Sequence, residues 1–204
     1  MSEEAVCEAL LGLLYSEDGE WTRAMSALLK ARPGLDGCQL PWLAAQAHLA
    51  LARCLAVTGR EAEARALQES VWTLHKCLPE EAMVSLLWRE ALVAEAVGDL
   101  AEAGTLLDSV LRRYLATGDL PEATLATLQL SGVLARQGRA NETWTLSAML
   151  KEVFDRTPGF EVSWCVLQGL ANEMTQGRGG SILYPNLYQS FRLRGVYPRP
   201  VLFV

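Results

Sequence analysis

Small and apolar residues recur in this chain at fixed distances from four glycines. Gly19, Gly59, Gly98 and Gly138 are spaced by 40, 39 and 40 residues, and each opens a similar phrase: "GEWTRA", "GREAEA", "GDLAEA", "GRANET". Five residues after each glycine stand Ala24, Ala64, Ala103 and Thr143; seven before stand Gly12, Ala52, Ala91 and Ser131. Tyr15, Leu55, Ala94 and Leu134 lie four before, and Ala31, Val71, Val110 and Leu150 twelve after. A glycine in this setting closes one helix in the left-handed conformation, and the next helix starts within two or three residues. Small residues at matching points on both helices let the backbones approach. The register predicts helix pairs at about 3–16/20–31, 41–57/61–76, 79–97/100–116 and 121–137/140–156. A fifth first helix follows at about 160–176, since Gly177 falls 39 residues after Gly138. Pro41 and Pro121 are tolerated in a first helical turn, and Pro33, Pro79 and Pro158 stand near the ends of units.

A helix pair of this kind cannot bury its apolar face alone and must stack on its neighbours. In the first unit, Leu11, Gly12, Tyr15, Gly19 and Ala24 fall at the Leu-Gly-x2-Tyr…Gly…Ala spacing, and the pattern resembles the tetratricopeptide repeat. Later units depart from it: Glu90 stands where a leucine is expected, and Ser131 and Thr143 replace smaller residues. The period is longer than the family's usual one and is similar to that of long-helix versions in bacterial regulatory arrays. The resemblance implies an all-α, right-handed superhelical array of antiparallel helix pairs, about four and a half repeats over residues 1–176. Residues 177–204 then form an altered cap with an extended basic and apolar tail. A short last helix at about 182–194 fits the spacing of Ile182, Leu183, Leu187 and Phe191.

The family's first helices line an inner, concave wall that binds protein or peptide. Carried across, that wall holds Gln46, Leu49 and Arg53, then Ser85, Trp88, Leu92 and Glu95, then Leu125, Leu128 and Arg136, then Trp164 and Leu167. Tryptophan and arginine are frequent interface hot spots. The six tryptophans also suit packing between repeats, so Trp88 and Trp164 stay open to both roles.

Composition narrows the function. The chain has 204 residues, half of them hydrophobic, and a formal charge of −6, which argues against a nucleic-acid footprint. Among the basic residues 15 are Arg and 3 are Lys. Five dispersed cysteines (Cys7, Cys38, Cys54, Cys77, Cys165) form no CxxC pair, which fits a reduced, cytoplasmic setting better than a disulfide or zinc framework. The acidic start "MSEEAVCEALL" has no basic leader. The most apolar run, "LPWLAAQAHLALARCLAV", carries Gln46, His48 and Arg53 and reads as a buried helix rather than a membrane span.

Chemistry is sparse. His48 and His75 are not spaced as ligands on one helix face, and no HExxH, GxSxG or phosphate-loop motif occurs. The Gly-rich "TQGRGGS" at 175–181 lacks a preceding strand and the Lys-Ser/Thr of a phosphate loop. Glu61, Glu63 and Glu69 read as solvated helix acids. No cofactor or metal is expected, and a non-enzymatic adaptor or scaffold follows. A second reading is a regulatory sensor that binds a small effector or peptide and controls a transcriptional or defence partner in trans.

The tail "VYPRPVLFV" (196–204) differs from all of this. From Met174 onward there are four arginines and no acid, a charge of +4, against −10 for the first 173 residues. Arg194, Tyr197, Arg199, Leu202 and Phe203 are the candidates for docking, on this chain's acidic array or on a twin. A handle for another protein and a single-strand nucleic-acid contact are the competing readings.

Overall fold

The computed structural model describes residues 3–35, 40–71, 78, 80–139, 141–146 and 148. Among them lie seven helices: α1 (Glu3–Glu17), α2 (Trp21–Leu35), α3 (Pro41–Val57), α4 (Glu61–Val71), α5 (Glu80–Ala96), α6 (Leu100–Thr117) and α7 (Leu120–Arg136). Residues 141–146 are helical as well, and the described residues contain no strand. The helices expected at about 160–176 and 182–194 lie outside the described residues.

Each register glycine does what the repeat asks of it. Gly19, Gly59, Gly98 and Gly138 all have positive φ, between 72° and 84°. Behind each, the next residue's N–H reaches back to the last helical turn: Glu20 to the Tyr15 carbonyl at 2.9 Å, Arg60 to Leu55 at 2.8 Å, Asp99 to Ala94 at 2.9 Å and Arg139 to Leu134 at 2.9 Å. This six-to-one bond satisfies a carbonyl the helix end leaves open. The carbonyls of Glu20 and Arg60 then accept the first bond of the next helix, from Ala24 at 2.9 Å and Ala64 at 3.1 Å. One residue thus closes a helix and opens its partner, and so short a turn makes the two antiparallel. Gly118, at φ 75°, repeats the device between α6 and α7.

The small residues are the contact points. Ala24, Ala64, Ala103 and Thr143 are all fully buried, and so are Ala52, Ala91 and Ser131. At Gly12 a Cβ would stand 2.5 Å from Leu28 Cγ and 3.1 Å from the Leu28 backbone nitrogen. Leu28 is itself 1% exposed and has nowhere to move. Gly12→Ala therefore lowers stability by about 1–2 kcal/mol, an overpacking cost that outweighs the helix-propensity gain of an alanine. Urea denaturation reads it; a stabilised variant would show that α1 and α2 have room to separate.

The described chain divides into two compact units at the Asp99–Leu100 junction. In the first, α1 packs on α2 and α3 on α4, and α3 lies against both α1 and α5 while α2 packs on α3. The first helices of successive pairs therefore contact one another through α3. That position explains the composition of α3: twelve of its seventeen residues are buried, from Leu43 to Ala56. It is the apolar run whose Gln46, His48 and Arg53 speak against a membrane span. No helix of the described residues is long and apolar enough to cross a membrane. In the second unit α6 packs on α7, with Leu107, Val110 and Leu111 buried on α6. There Gln137 donates from Nε2 to the Leu100 carbonyl at 2.5 Å and ties the end of α7 to the start of α6. The boundary expected at 176/177 lies outside the described residues.

Pro33 departs from its expected place as a stop. It lies inside α2, which continues to Leu35. It sits in the last turn, and its missing N–H removes the helical bond to the carbonyl four residues back, that of Leu29.

Candidate functional site

The residues assigned to a binding wall are mostly interior. Gln46 is 1% exposed, Leu49 0%, Ser85 2%, Trp88 3% and Leu92 8%. Gln46 Nε2 donates to Ser85 Oγ at 3.4 Å, so two of the polar candidates on neighbouring first helices meet each other. Ser85 Oγ in turn donates to the Ala82 carbonyl at 2.9 Å. Leu49 belongs to the core that α3 shares with Leu28, Leu86 and Val93. These side chains do not form an open surface. The physical reason is that α3 has neighbours on several sides, and an apolar residue within their reach is driven out of water.

Three wall candidates do reach solvent. Arg53 is half-buried, with its guanidinium 5.1 Å from the centre of the Trp21 ring, a cation–π contact between α3 and the start of α2. Glu95 is half-buried at the end of α5, and Arg136 is exposed at the end of α7 in the other unit. Leu125 is buried. The side chain of Leu128 lies outside the described residues, as do Trp164, Leu167 and the tail candidates Arg194, Tyr197, Arg199, Leu202 and Phe203.

A different surface stands out on α1. Cys7, Leu11 and Leu14 are exposed at i, i+4 and i+7, one face of the helix. Leu11 and Leu14 are 44% and 50% exposed, on a helix whose opposite side buries Ala5, Ala9, Gly12, Leu13 and Ser16. The stripe carries negative charge at both ends, with Glu3 and Glu4 before it and Asp18 and Glu20 after it. Beside its N-terminal end a groove of about 310 Å³ is lined by Glu4, Ala5, Glu8, Lys30 and Gly34. Lys30 Nζ is 3.7 Å from Glu8 with its own side chain two-thirds exposed, a long surface pair that contributes little. Helical spacing was enough to reveal this stripe in the sequence. Leu11 is there read as a consensus position of the repeat, which hides it.

The second feature that sequence reasoning misses is an ion pair inside the first unit. Arg89 Nη1 on α5 donates to Glu17 Oε1 on α1 at 3.1 Å, and the Arg89 side chain is 3% exposed. Glu90 beside it is 1% exposed. Glu17 is the last residue of α1, where a carboxylate opposes the helix dipole, and Arg89 offsets that cost. The available signal was "WRE" within the apolar run "SLLWREALV". The partner, 72 residues away, had no signal.

The chemistry of the remaining groups is quiet. Among the described residues no group of three or more His, Cys, Asp or Glu is placed to hold a metal ion. Burial pushes the Cys54 thiol up to about 11, so it stays protonated and unreactive, whereas Cys7 is exposed. Burial first, then the Glu122 and Asp119 charges, push the Tyr114 hydroxyl well above its ordinary value. Glu61, Glu63 and Glu69 are exposed as expected, and Glu63 pairs with Arg60 at 2.6 Å. His48 is half-buried on α3; His75 and the 175–181 stretch lie outside the described residues. Set against known proteins, the chain matches no family model, no curated protein and no solved structure.

Proposed function

We propose that this chain is a non-catalytic adaptor, a right-handed array of tetratricopeptide-like helix pairs that binds another protein or a peptide. The observation that carries the binding role is the apolar stripe Cys7–Leu11–Leu14, open on α1 while the opposite face is fully packed. Exposed leucines on one face, rimmed by charge, are the surface a partner covers. The glycine register and the fully buried small residues support the repeat reading, because they rebuild the same helix pair at successive units. The docking face thereby moves from the inner wall to the edge of the first helix.

The test uses the full chain. Leu11→Asp with Leu14→Asp removes the apolar face at positions where charge is already solvated, so helical circular dichroism and urea stability stay within about 1 kcal/mol of the parent. Capture from cells after cross-linking returns a stoichiometric protein complex with the parent and at least tenfold less with the double variant. Undiminished capture removes the α1 face from the proposal. A small molecule retained in native mass spectrometry, with no protein partner, replaces the adaptor by the sensor.

A further inference from the structure

The first helix pair complements itself in charge. α1 carries four acids, Glu3, Glu4, Glu8 and Glu17, and no base. α2 carries three bases, Arg23, Lys30 and Arg32, and no acid. Four large hydrophobic side chains stand exposed among the described residues, and three of them belong to this pair: Leu11 and Leu14 on α1, Leu29 on α2. On α2 the buried side holds Ala24, Ala27, Leu28, Ala31 and Leu35, and Arg23, Ser26, Leu29 and Lys30 are exposed. Three contacts fix which residues lie level across the pair. Lys30 Nζ is 3.7 Å from Glu8, Gly12 abuts Leu28, and Arg23 Nη2 donates to the Tyr15 hydroxyl at 3.0 Å. Leu11 is therefore level with Leu29, and Leu14 with Ser26, to within about one residue's rise of 1.5 Å.

We infer that the exposed face of the α1–α2 pair docks on the same face of a second copy of this chain, about a two-fold axis that runs alongside the helices. Such an axis keeps every level and lays α1 of one copy over α2 of the other. Leu11 then meets Leu29 of the second copy, and Leu14 meets its Ser26. Glu8 meets Lys30 of the second copy. Glu8 and Lys30 are already neighbours within each chain, so four charges alternate in sign around the axis. The other way to stack the two faces, with the axis across the helices, lays α1 on α1 and α2 on α2. That arrangement sets acid against acid and base against base, and like charges in juxtaposition are costly. Charge thereby selects both the occupant and its orientation, while the leucines hold the contact. The contact is isologous and closes at two copies. Fifteen residues of helix make the face about 22 Å long. Two helices side by side are about 20 Å wide. The footprint is on the order of 450 Å² per copy, which belongs with small, weak interfaces, so the dimer forms in the micromolar range.

This inference rests on the reading of α1 as a docking face, and the experiment separates the two. Full-length protein, from a few to a few hundred micromolar, is weighed by sedimentation equilibrium. The parent reaches twice its 22.3 kDa and no more, and raising the salt from about 0.1 to about 0.5 M weakens the association at least threefold. Leu11→Asp with Leu14→Asp tests the face and weakens it at least tenfold. Glu8→Lys and Lys30→Glu test the occupant, and each alone weakens it at least tenfold, because like charges then meet across the axis. Their helical circular dichroism stays that of the parent, since the Glu8–Lys30 pair within a chain is long and part-exposed. An equimolar mixture of the Glu8→Lys and Lys30→Glu chains associates to within threefold of the parent. In that mixture opposite charges meet only between chains, and native mass spectrometry with one chain isotopically labelled counts the heterodimers. A monomeric parent overturns the inference, whether the chain's own residues 149–204 or another protein covers the face. So does a mixture that stays apart, growth beyond two copies, or association that survives Leu11→Asp/Leu14→Asp. If the parent is monomeric while the leucine variant still loses a different captured protein, α1 remains the docking face and the second copy is overturned as its occupant. A monomeric parent with undiminished capture overturns both.

Discussion

Trp88→Ala destabilises the protein by about 3–5 kcal/mol, the cost of emptying a buried indole site that its surroundings can only partly refill. Trp88 is 3% exposed, on a face of α5 that also buries Ser85 and Leu92. The loss appears as a lower urea midpoint with the slope unchanged. It also appears as a drop on the order of 10 °C in melting temperature for a domain of this size. Trp88→Phe keeps most of the volume and costs less than half as much. A Trp88→Ala protein within about 1 kcal/mol of the parent would place the indole at a surface and reopen the wall as a binding site.

That expectation reverses the use to which Trp88 is put when only the family's pattern is available. With Trp88 and Arg53 both placed on an inner wall, substituting the two together would be a test of partner binding with the helices intact. With the indole buried, lost binding would report lost folding. Arg53 alone remains a surface probe, because its contact with Trp21 lies where the side chain is half-buried. The binding test therefore moves to Leu11 and Leu14, where substitution leaves the packed side of α1 untouched.

The difference between what the sequence discloses and what it withholds follows from range. The helix pairs are legible because their signals are local. A glycine, a small residue five positions on and another seven positions back all act within one turn and its two flanking helices. The expected bounds 41–57 for α3 agree with the structure, and α1, α5, α6 and α7 shift by only a residue or so at either end. Ala24, Ala64, Ala103 and Thr143 could be picked out as contact points because a repeat forces the same contact each time. Burial of the wall is not local. The repeat pattern tells which face of α3 carries Gln46 and Leu49, but not that Gln46 meets Ser85 across 39 residues. Pro33 misleads in the opposite direction: the local rule marks a stop, yet within the last turn of α2 the helix tolerates it to Leu35.

Arg89→Met removes the most deeply buried cation among the described residues of the first unit and costs about 3 kcal/mol. The size follows from an asymmetry: an intact buried pair contributes modestly, but taking away one partner leaves the other charge desolvated without its counterion. Here the survivor is Glu17, 17% exposed at the C-terminal end of α1, where the helix dipole already disfavours it. Methionine fills the space of the arginine stem, so the loss reports charge rather than a cavity. Glu17→Leu removes the same contact from the other side, at an Arg89 side chain that is 3% exposed, and costs a similar amount. Combined, the two substitutions cost about 3 kcal/mol less than the sum of the single losses, and that coupling in the double-mutant cycle is the diagnostic quantity. Additive losses would instead mean that Arg89 is held chiefly by its other neighbours. A compensated double variant would also explain why a charged "RE" step persists in a helix facing an apolar core. The pair ties α5 to the end of α1 at one register, a role that apolar packing fills with equal stability but with less constraint on which turn meets which.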